Sequence, residues 1–330
     1  MPDDSQPPHH PRISIVVNCW NGAAFLREAL ASAVAQTYAD WELVFWDDRS
    51  EDESPSIFAE FDDARFRYFL ADQHTHLGQA RHDAIQAAKG EWIAFLDQDD
   101  IWLPDKLARQ IALVDDSDDD RLGIIYGRAI WFTEDSERDY DRRFEFRRLP
   151  QGQISKDLLR WANFIPMSAS MVLRSAYFDV GGISLRYEIA VDYYLFAALA
   201  TRYTALAVDA PCCRYRVHDN NMLKAHRIRS FEESIHIIEE FYAETEPALY
   251  AKRIRVYHTL IGYYRARSGE VLSGSLSIVK NGSLSYLLGK PFVKIGRNLR
   301  LAWLKLTGRA HYGTSSTGCQ PALDTRQQEP

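Results

Sequence analysis

Asp97, Asp99 and Asp100 fall within four residues, directly after an apolar run that ends at Leu96. Carboxylates at that density repel one another, and something must offset the repulsion. Asp and Glu are hard oxygen ligands suited to Mg²⁺ or Mn²⁺. A divalent cation there would neutralise the crowding and bridge to an anion, most naturally a diphosphate. Not every carboxylate need touch the metal, since one can accept hydrogen bonds from a ribose. The alternative is helix capping ahead of Pro104. The four cysteines (Cys19, Cys212, Cys213 and Cys319) form no zinc spacing and no disulfide framework, so a reducing compartment is expected. The net charge of −7 on 330 residues argues against a nucleic-acid partner.

The elements that must position these groups can be read from periodicity. Ile13–Asn18, Trp41–Trp46, Arg67–Leu70 and Glu91–Leu96 are short apolar runs predicted to be strands. Ala23–Gln36, Ser54–Phe61, Gly78–Lys89 and a segment from Pro104 to about Val114 carry helical spacing between them. Such alternation predicts an α/β fold, with a mainly parallel sheet flanked by helices on both faces. Ligands then bind beyond the carboxyl ends of the strands. The strand exits are all polar: Asn18-Cys19-Trp20-Asn21, Asp47-Asp48 and Asp97-Gln98-Asp99-Asp100.

Further along, Gly123–Phe132, Ser168–Leu173, Thr204–Asp209 and Cys213–Val217 read as strands, and Ala190–Ala200 as a helix. Asp115–Asp120 reads as a solvated acidic loop, and Thr133–Arg148 as an exposed loop or hairpin. Beyond Asn221 the chain turns helical, with Pro247 dividing Phe231–Ala266. From Val271 to Leu323 there is no acidic residue, while lysines and arginines alternate with apolar residues. That pattern suits peripheral contact with an anionic membrane, a packed helical extension or an oligomer contact. The N-terminus has no apolar stretch typical of a secretory signal, and no apolar run is long enough to span a bilayer. A cytoplasmic location, extending to the cytoplasmic face of the membrane, is expected. The expected domains are a disordered 1–11, a catalytic 12–220, a helical 221–312 and a disordered 313–330.

The ordered set of motifs over residues 12–220 resembles family 2 glycosyltransferases of the GT-A fold. It comprises Trp20-Asn21 after the first strand, Gln36-Thr37 before Tyr38, and Asp47-Asp48 with Ser50 and Asp52. Ala88-Lys89-Gly90-Glu91 and Leu96-Asp-x-Asp-Asp follow. The resemblance implies a Rossmann-like sheet with a helical C-terminal extension. It also implies inverting transfer from a nucleotide-diphosphate sugar, most often UDP-linked, to a glycan or lipid-linked acceptor, with Mn²⁺ or Mg²⁺ as cofactor. By position, Asn18, Trp20 and Asn21 hold the base, the Trp20 indole either stacking on a pyrimidine or filling the core. Asp48 accepts a hydrogen bond from the base, and Arg81 lies near the nucleotide. Asp97, Asp99 and Asp100 form the DxD region, Asp99 and Asp100 being closest to ribose and metal. In the Tyr215-Arg216-Val217-His218 segment, His218 ligates the metal or touches the diphosphate, and Arg216 pairs with phosphate. The general base is Asp192, with Glu188 as the alternative. Met167–Ser170 is expected near the acceptor pocket. Two departures stand out: His82 where Asn is usual, and Val191-Asp192 where the family has Glu-Asp.

Rival readings fit less well. A haloacid-dehalogenase-like phosphatase wants its Asp-x-Asp near the domain start, with Thr or Val where Ile101 stands. A nucleotidyltransferase wants a Gly-rich phosphate loop with Lys early in the chain, and a nicotinamide dehydrogenase wants Gly-x-Gly-x-x-Gly. A sugar-nucleotide-binding protein without transfer activity remains the non-enzyme alternative.

Overall fold

In the computed structural model the described residues are 10–133, 136–139, 148–219 and 221–270, with Ser273 and Ser277. Residues 1–9 of the expected disordered 1–11, all of 313–330, and nearly all of the acid-free segment from Val271 lie outside them.

The strands are β1 (Ile13–Cys19), β2 (Trp41–Asp47), β3 (Phe66–Leu70), β4 (Trp92–Phe95), β5 (Ile101–Trp102), β6 (Leu122–Thr133), β7 (Ser136–Asp139), β8 (Ser170–Leu173) and β9 (Thr204–Arg216). The helices are α1 (Ala23–Val34), α2 (Ser54–Ala59), α3 (Leu77–Ala87), α4 (Lys106–Asp115), α5 (Ser155–Trp161), α6 (Arg174–Asp179), α7 (Val191–Leu199), α8 (Met222–Ala225), α9 (Arg227–Tyr242) and α10 (Pro247–Arg267). One sheet runs in the order β3-β2-β1-β4-β8-β6-β9-β5, with β7 hairpinned onto β6. β3, β2, β1 and β4 are mutually parallel. β8 is antiparallel to both β4 and β6.

Strand alternation makes two cores. Ile13, Ile15 and Val17 pack with α1 and α4 residues such as Leu30 and Leu107. Val16, Val44 and Phe95 face the opposite layer, with Ala84 and Ile85 of α3, α7 residues and Ile237 of α9. The parallel quartet therefore ends on one edge at Cys19, Asp47 and Phe95, where the polar exits were expected.

Three elements differ from the sequence reading. The segments 204–209 and 213–217 are one strand, β9, whose pairing with β6 shifts register around Arg128. Pro211 sits opposite that shift, where a missing N–H costs no regular ladder bond. Ile101–Trp102, given no element in the sequence reading, forms β5 antiparallel to Cys213 and Arg214 of β9. Pro104 precedes α4 rather than opening it, and its carbonyl accepts the Thr37 N–H at 2.9 Å.

Lys106, at the start of α4, is fully buried. Its ammonium donates to Gln110 Oε1 at 2.7 Å and lies 4.0 Å above the Trp102 ring. Burial lowers its pKa from 10.5 to about 8. Between those values the unfolded chain binds more protons, so stability rises with pH through that window. Lys106→Met is expected to stabilise the protein by about 1–2 kcal/mol at pH 7, the gain shrinking between pH 8 and 10.5. Urea unfolding of both proteins at pH 7 and pH 10 checks this. A Met variant less stable at pH 7 would contradict it.

Candidate active site

The loop Asp97–Asp100 leaves β4 and enters β5, and the pairing of β5 with β9 fixes what surrounds it. The Asp100 N–H closes a turn onto Asp97 O at 3.1 Å. Each carboxylate meets a different partner. Asp97 Oδ1 lies 2.6 Å from Nη2 of Arg81, a buried guanidinium on α3. Asp99 Oδ2 is 2.8 Å from His218 Nε2. Asp100 Oδ1 accepts the Arg216 N–H at 2.9 Å. Asp100 Oδ2 is buried with no hydrogen-bond partner.

That orphaned oxygen is costly as an unpaired charge, by several kcal/mol. Burial, reinforced by the charges of Asp99 and Asp97, pushes the Asp100 pKa well above the carboxylate range; the Ser168 hydroxyl and the Arg216 N–H offset this only in part. Burial also raises Asp97, with Asp99 adding to it and Arg81 opposing. Such a carboxyl must hold a proton or a cation. Asp99, Asp100 and His218 supply oxygen and imidazole donors that fit Mn²⁺ or Mg²⁺. Among the described residues no three such side chains converge closely enough to cage a metal unaided. Further ligands would have to come from a bound anion.

Arg216 is more committed than the sequence implied. Its Nε donates to Asp99 O at 2.9 Å and its Nη2 to Glu28 at 3.1 Å. The guanidinium sits 4.6 Å from both the Phe25 and Phe132 rings. In this state it braces the acidic loop.

At the β1 and β2 exits Trp20 is 50% exposed, which rules out the core alternative. Its backbone N–H donates to Gln98 Oε1 at 2.9 Å, linking it to the acidic loop. Its indole stacks on His74 at 4.4 Å. His74 Nδ1 is 2.7 Å from Asp48 Oδ2, and both Asp48 oxygens accept the Thr75 N–H at 3.1 Å. Asn18 is half-buried, and its Nδ2 is a buried donor without a partner. Asn21 adopts a left-handed φ of 50°, and its Oδ1 accepts the Glu51 N–H at 2.8 Å, so it shapes the turn. Gly22 lies beside Gln98, whose Oε1 a Cβ there would meet at 2.5 Å.

Asp192 opens α7, and electrostatic influence from Asp97 and Arg81 reaches it. Its Oδ2 accepts Asn163 Nδ2–H at 2.8 Å and its Oδ1 the Tyr193 N–H at 2.7 Å. Burial raises its pKa, the direction a general base requires. Glu188, the alternative base, pairs instead with Arg229 at 2.7 Å. His82 bonds the Tyr177 hydroxyl at 2.9 Å, so the departure at that position serves packing. Met167–Ser170 is wholly buried and supports the acidic loop, Ser168 Oγ accepting the Asp97 N–H at 3.1 Å. A groove of ≈ 740 Å³, lined by Trp46, Leu70, Thr75, Gln79 and Asp83 among others, lies beside α3 and includes none of the acidic cluster.

Sequence reading missed His74, Thr75, Gln98 as a bridge, and Asn163. None carries a spacing signal; their roles arise from loop geometry alone.

The family model described as glycosyl transferase family 2 matches residues 14–181. The chain is 36% identical over 102 residues to the UDP-Glc:alpha-D-GlcNAc-diphosphoundecaprenol beta-1,3-glucosyltransferase WfgD of Escherichia coli, covering 31% of this chain and 40% of that protein. It is 40% identical over 105 residues to the succinoglycan biosynthesis protein ExoO of Rhizobium meliloti, covering 32% and 30%. The matched region thus spans less than half of these curated relatives. Among solved structures, the mannosyltransferase PcManGT from Pyrobaculum calidifontis, in complex with GDP-Man and Mn²⁺, superposes with a TM-score of 0.60 at 18% identity, over 94% of this chain and 92% of that one. S. aureus TarS 1-349 in complex with UDP-GlcNAc gives 0.52 at 13%, over 81% and 90%. These likenesses establish the GT-A fold.

Asn163→Leu removes a donor to the Asp192 carboxylate and is expected to raise the pKa of that group further. The ¹³C carboxyl resonance that Asp192→Asn deletes reports the titration. An unmoved or lowered midpoint would show that the 2.8 Å contact does not stabilise the charged form.

Proposed function

We propose, from the premise that this chain belongs to glycosyl transferase family 2, that it transfers a sugar from a nucleoside-diphosphate sugar to an acceptor hydroxyl with inversion. The observation that carries this reading is the buried, unpartnered Asp100 Oδ2 between two further carboxylates. A site built to bind a neutral ligand would gain nothing from that arrangement.

Asp99, Asp100 and His218 are the residues that would hold a divalent cation. When bound, that cation supplies charge neutralisation for the diphosphate leaving group. The exposed indole of Trp20 and the carboxylate of Asp48 suit a base with one aromatic face and an N–H edge. UDP is the first choice, and to reach both groups the base must displace or join His74. Asn18 Nδ2 is a free donor at the same edge. Arg81 holds Asp97 and places positive charge beside the nucleotide. Asp192 takes the proton from the acceptor hydroxyl as its oxygen bonds to the anomeric carbon and the bond to the diphosphate breaks. One displacement with a base on the opposite side gives inversion.

The acceptor proposed is a glycan or a lipid-linked glycan. The names of the WfgD and ExoO relatives support surface-polysaccharide synthesis. No helix among the described residues is long and apolar enough to cross a membrane. The acid-free, basic segment 271–323 supports a peripheral approach to lipid.

The test is release of nucleoside diphosphate from UDP-glucose, UDP-GlcNAc and GDP-mannose, with and without Mn²⁺. Metal-dependent release from one of them is expected, and Asp100→Asn should abolish the metal-dependent part. Asp192→Asn should bind donor within about threefold of wild type while turnover falls by about 10²–10⁴. Release that ignores both metal and Asp100, or turnover surviving without Asp192, would overturn the respective assignment.

A further inference from the structure

Helix α9, in the region that follows the sheet, reaches the start of α7 through Glu233 and Arg229. Glu233 lies mid-helix and is only 7% exposed. Its Oε1 accepts the Glu188 N–H at 3.2 Å, and its Oε2 accepts Ile189 N–H at 2.9 Å and Ala190 N–H at 2.8 Å. These three residues lead directly into α7, and Ala190 is its N-cap with no capping side chain of its own. Three consecutive amides converge on one carboxylate, at the end of the helix where negative charge is favoured. Arg229, one turn back on α9, closes the arrangement. Its Nε is 3.1 Å from Glu233 Oε1 and its Nη2 is 2.7 Å from Glu188 Oε1.

A buried carboxylate is an expensive cap. A Ser, Thr or Asp at the N-cap would satisfy the same amides locally. The need becomes clear from the rest of α7. Val191, Tyr193, Leu195, Phe196 and Leu199 are all buried. Apolar packing of that kind holds a helix in place but sets its rotation and axial position loosely. The acid on this helix, Asp192, must be fixed to a fraction of an ångström to receive a proton. Asn163 fixes its carboxylate; the backbone beneath needs a polar anchor, and Glu233 is that anchor.

We infer that Glu233 is a positioning residue for Asp192, so that the helical C-terminal region is part of the catalytic unit. The inference rests on Asp192 being the base. The groups facing Asp192 are Asp97, Arg81 and Asn163, and those facing Glu233 are Arg229 and the Glu188–Ala190 amides. None of the former changes when Glu233 is replaced.

The experiment compares Glu233→Ala, Glu233→Gln and Asp192→Asn in the intact chain. UDP-glucose, UDP-GlcNAc and GDP-mannose are tried in turn with Mn²⁺, and nucleotide release is followed against donor concentration and pH. For Glu233→Ala, kcat is expected to fall about 10- to 100-fold with donor KM within about threefold. The acidic limb of its pH profile should move upward as the Tyr193 N–H loses register on Asp192. Glu233→Gln keeps one acceptor oxygen and should recover a large part of kcat; it also serves if the alanine variant fails to fold. A folded variant with kcat within twofold of wild type, beside an inactive Asp192→Asn, overturns the inference and spares the base. Loss of kcat and donor binding together, with an unmoved pH limb, marks a merely structural cap and overturns it too. Turnover retained by Asp192→Asn would remove the base and this inference with it.

Discussion

Too many carboxylates meet at one edge of one sheet, and the surrounding structure is organised by how they are neutralised. Asp97 takes a buried arginine, Asp99 an imidazole, and Asp100 the Arg216 N–H with the Ser168 hydroxyl nearby. Each partner comes from a different part of the chain: α3 for Arg81, the end of β9 for Arg216, and the residue pair beyond it for His218. The acidic loop is thereby tied to both sides of the sheet. One oxygen, Asp100 Oδ2, is left buried without a hydrogen bond. In a low-dielectric site that deficit is too large to leave standing as a bare charge, so the carboxyl must hold a proton or a cation.

Two minor features acquire meaning from this constraint. β5 is only two residues long, yet it fixes the register between the acidic loop and β9. Without it Arg216 and His218 would have no defined relation to Asp99 and Asp100. Gln98, between the acids, reaches the other way and holds the Trp20 backbone through its Oε1. The β1 exit at Trp20 and the acidic loop are therefore mechanically linked by adjacent residues. Asp192 is mounted on its own helix, α7, and held by Asn163 within the electrostatic reach of Asp97 and Arg81.

Much of this was legible in the residues themselves. Apolar runs spaced by helical segments marked β1, β2 and β4, because strands buried on both faces admit little else. Polar residues at their exits marked the edge where Asp48, Asp97, Asp99 and Asp100 gather. What the sequence concealed were relations made by loops and by long-range pairing. Two strands expected around Pro211 are one, since a register shift accommodates the imino acid. His74 carries no spacing signal and stacks on Trp20. Glu233 carries no signal in the sequence, and the amides it accepts lie 43 to 45 positions earlier. Arg216 matched a phosphate-binding position but is clamped between two phenyl rings. Spacing reports periodic structure well and reports single contacts across the fold poorly.

The most direct test of cation binding at the acidic edge is anomalous diffraction at the manganese edge, from crystals grown with Mn²⁺ and UDP. The expected map has one strong peak bonded to a carboxylate oxygen of Asp100, with the diphosphate on its other side. A nucleotide bound in the cleft with no peak there, and Asp100 Oδ2 still facing only protein, would contradict the central claim.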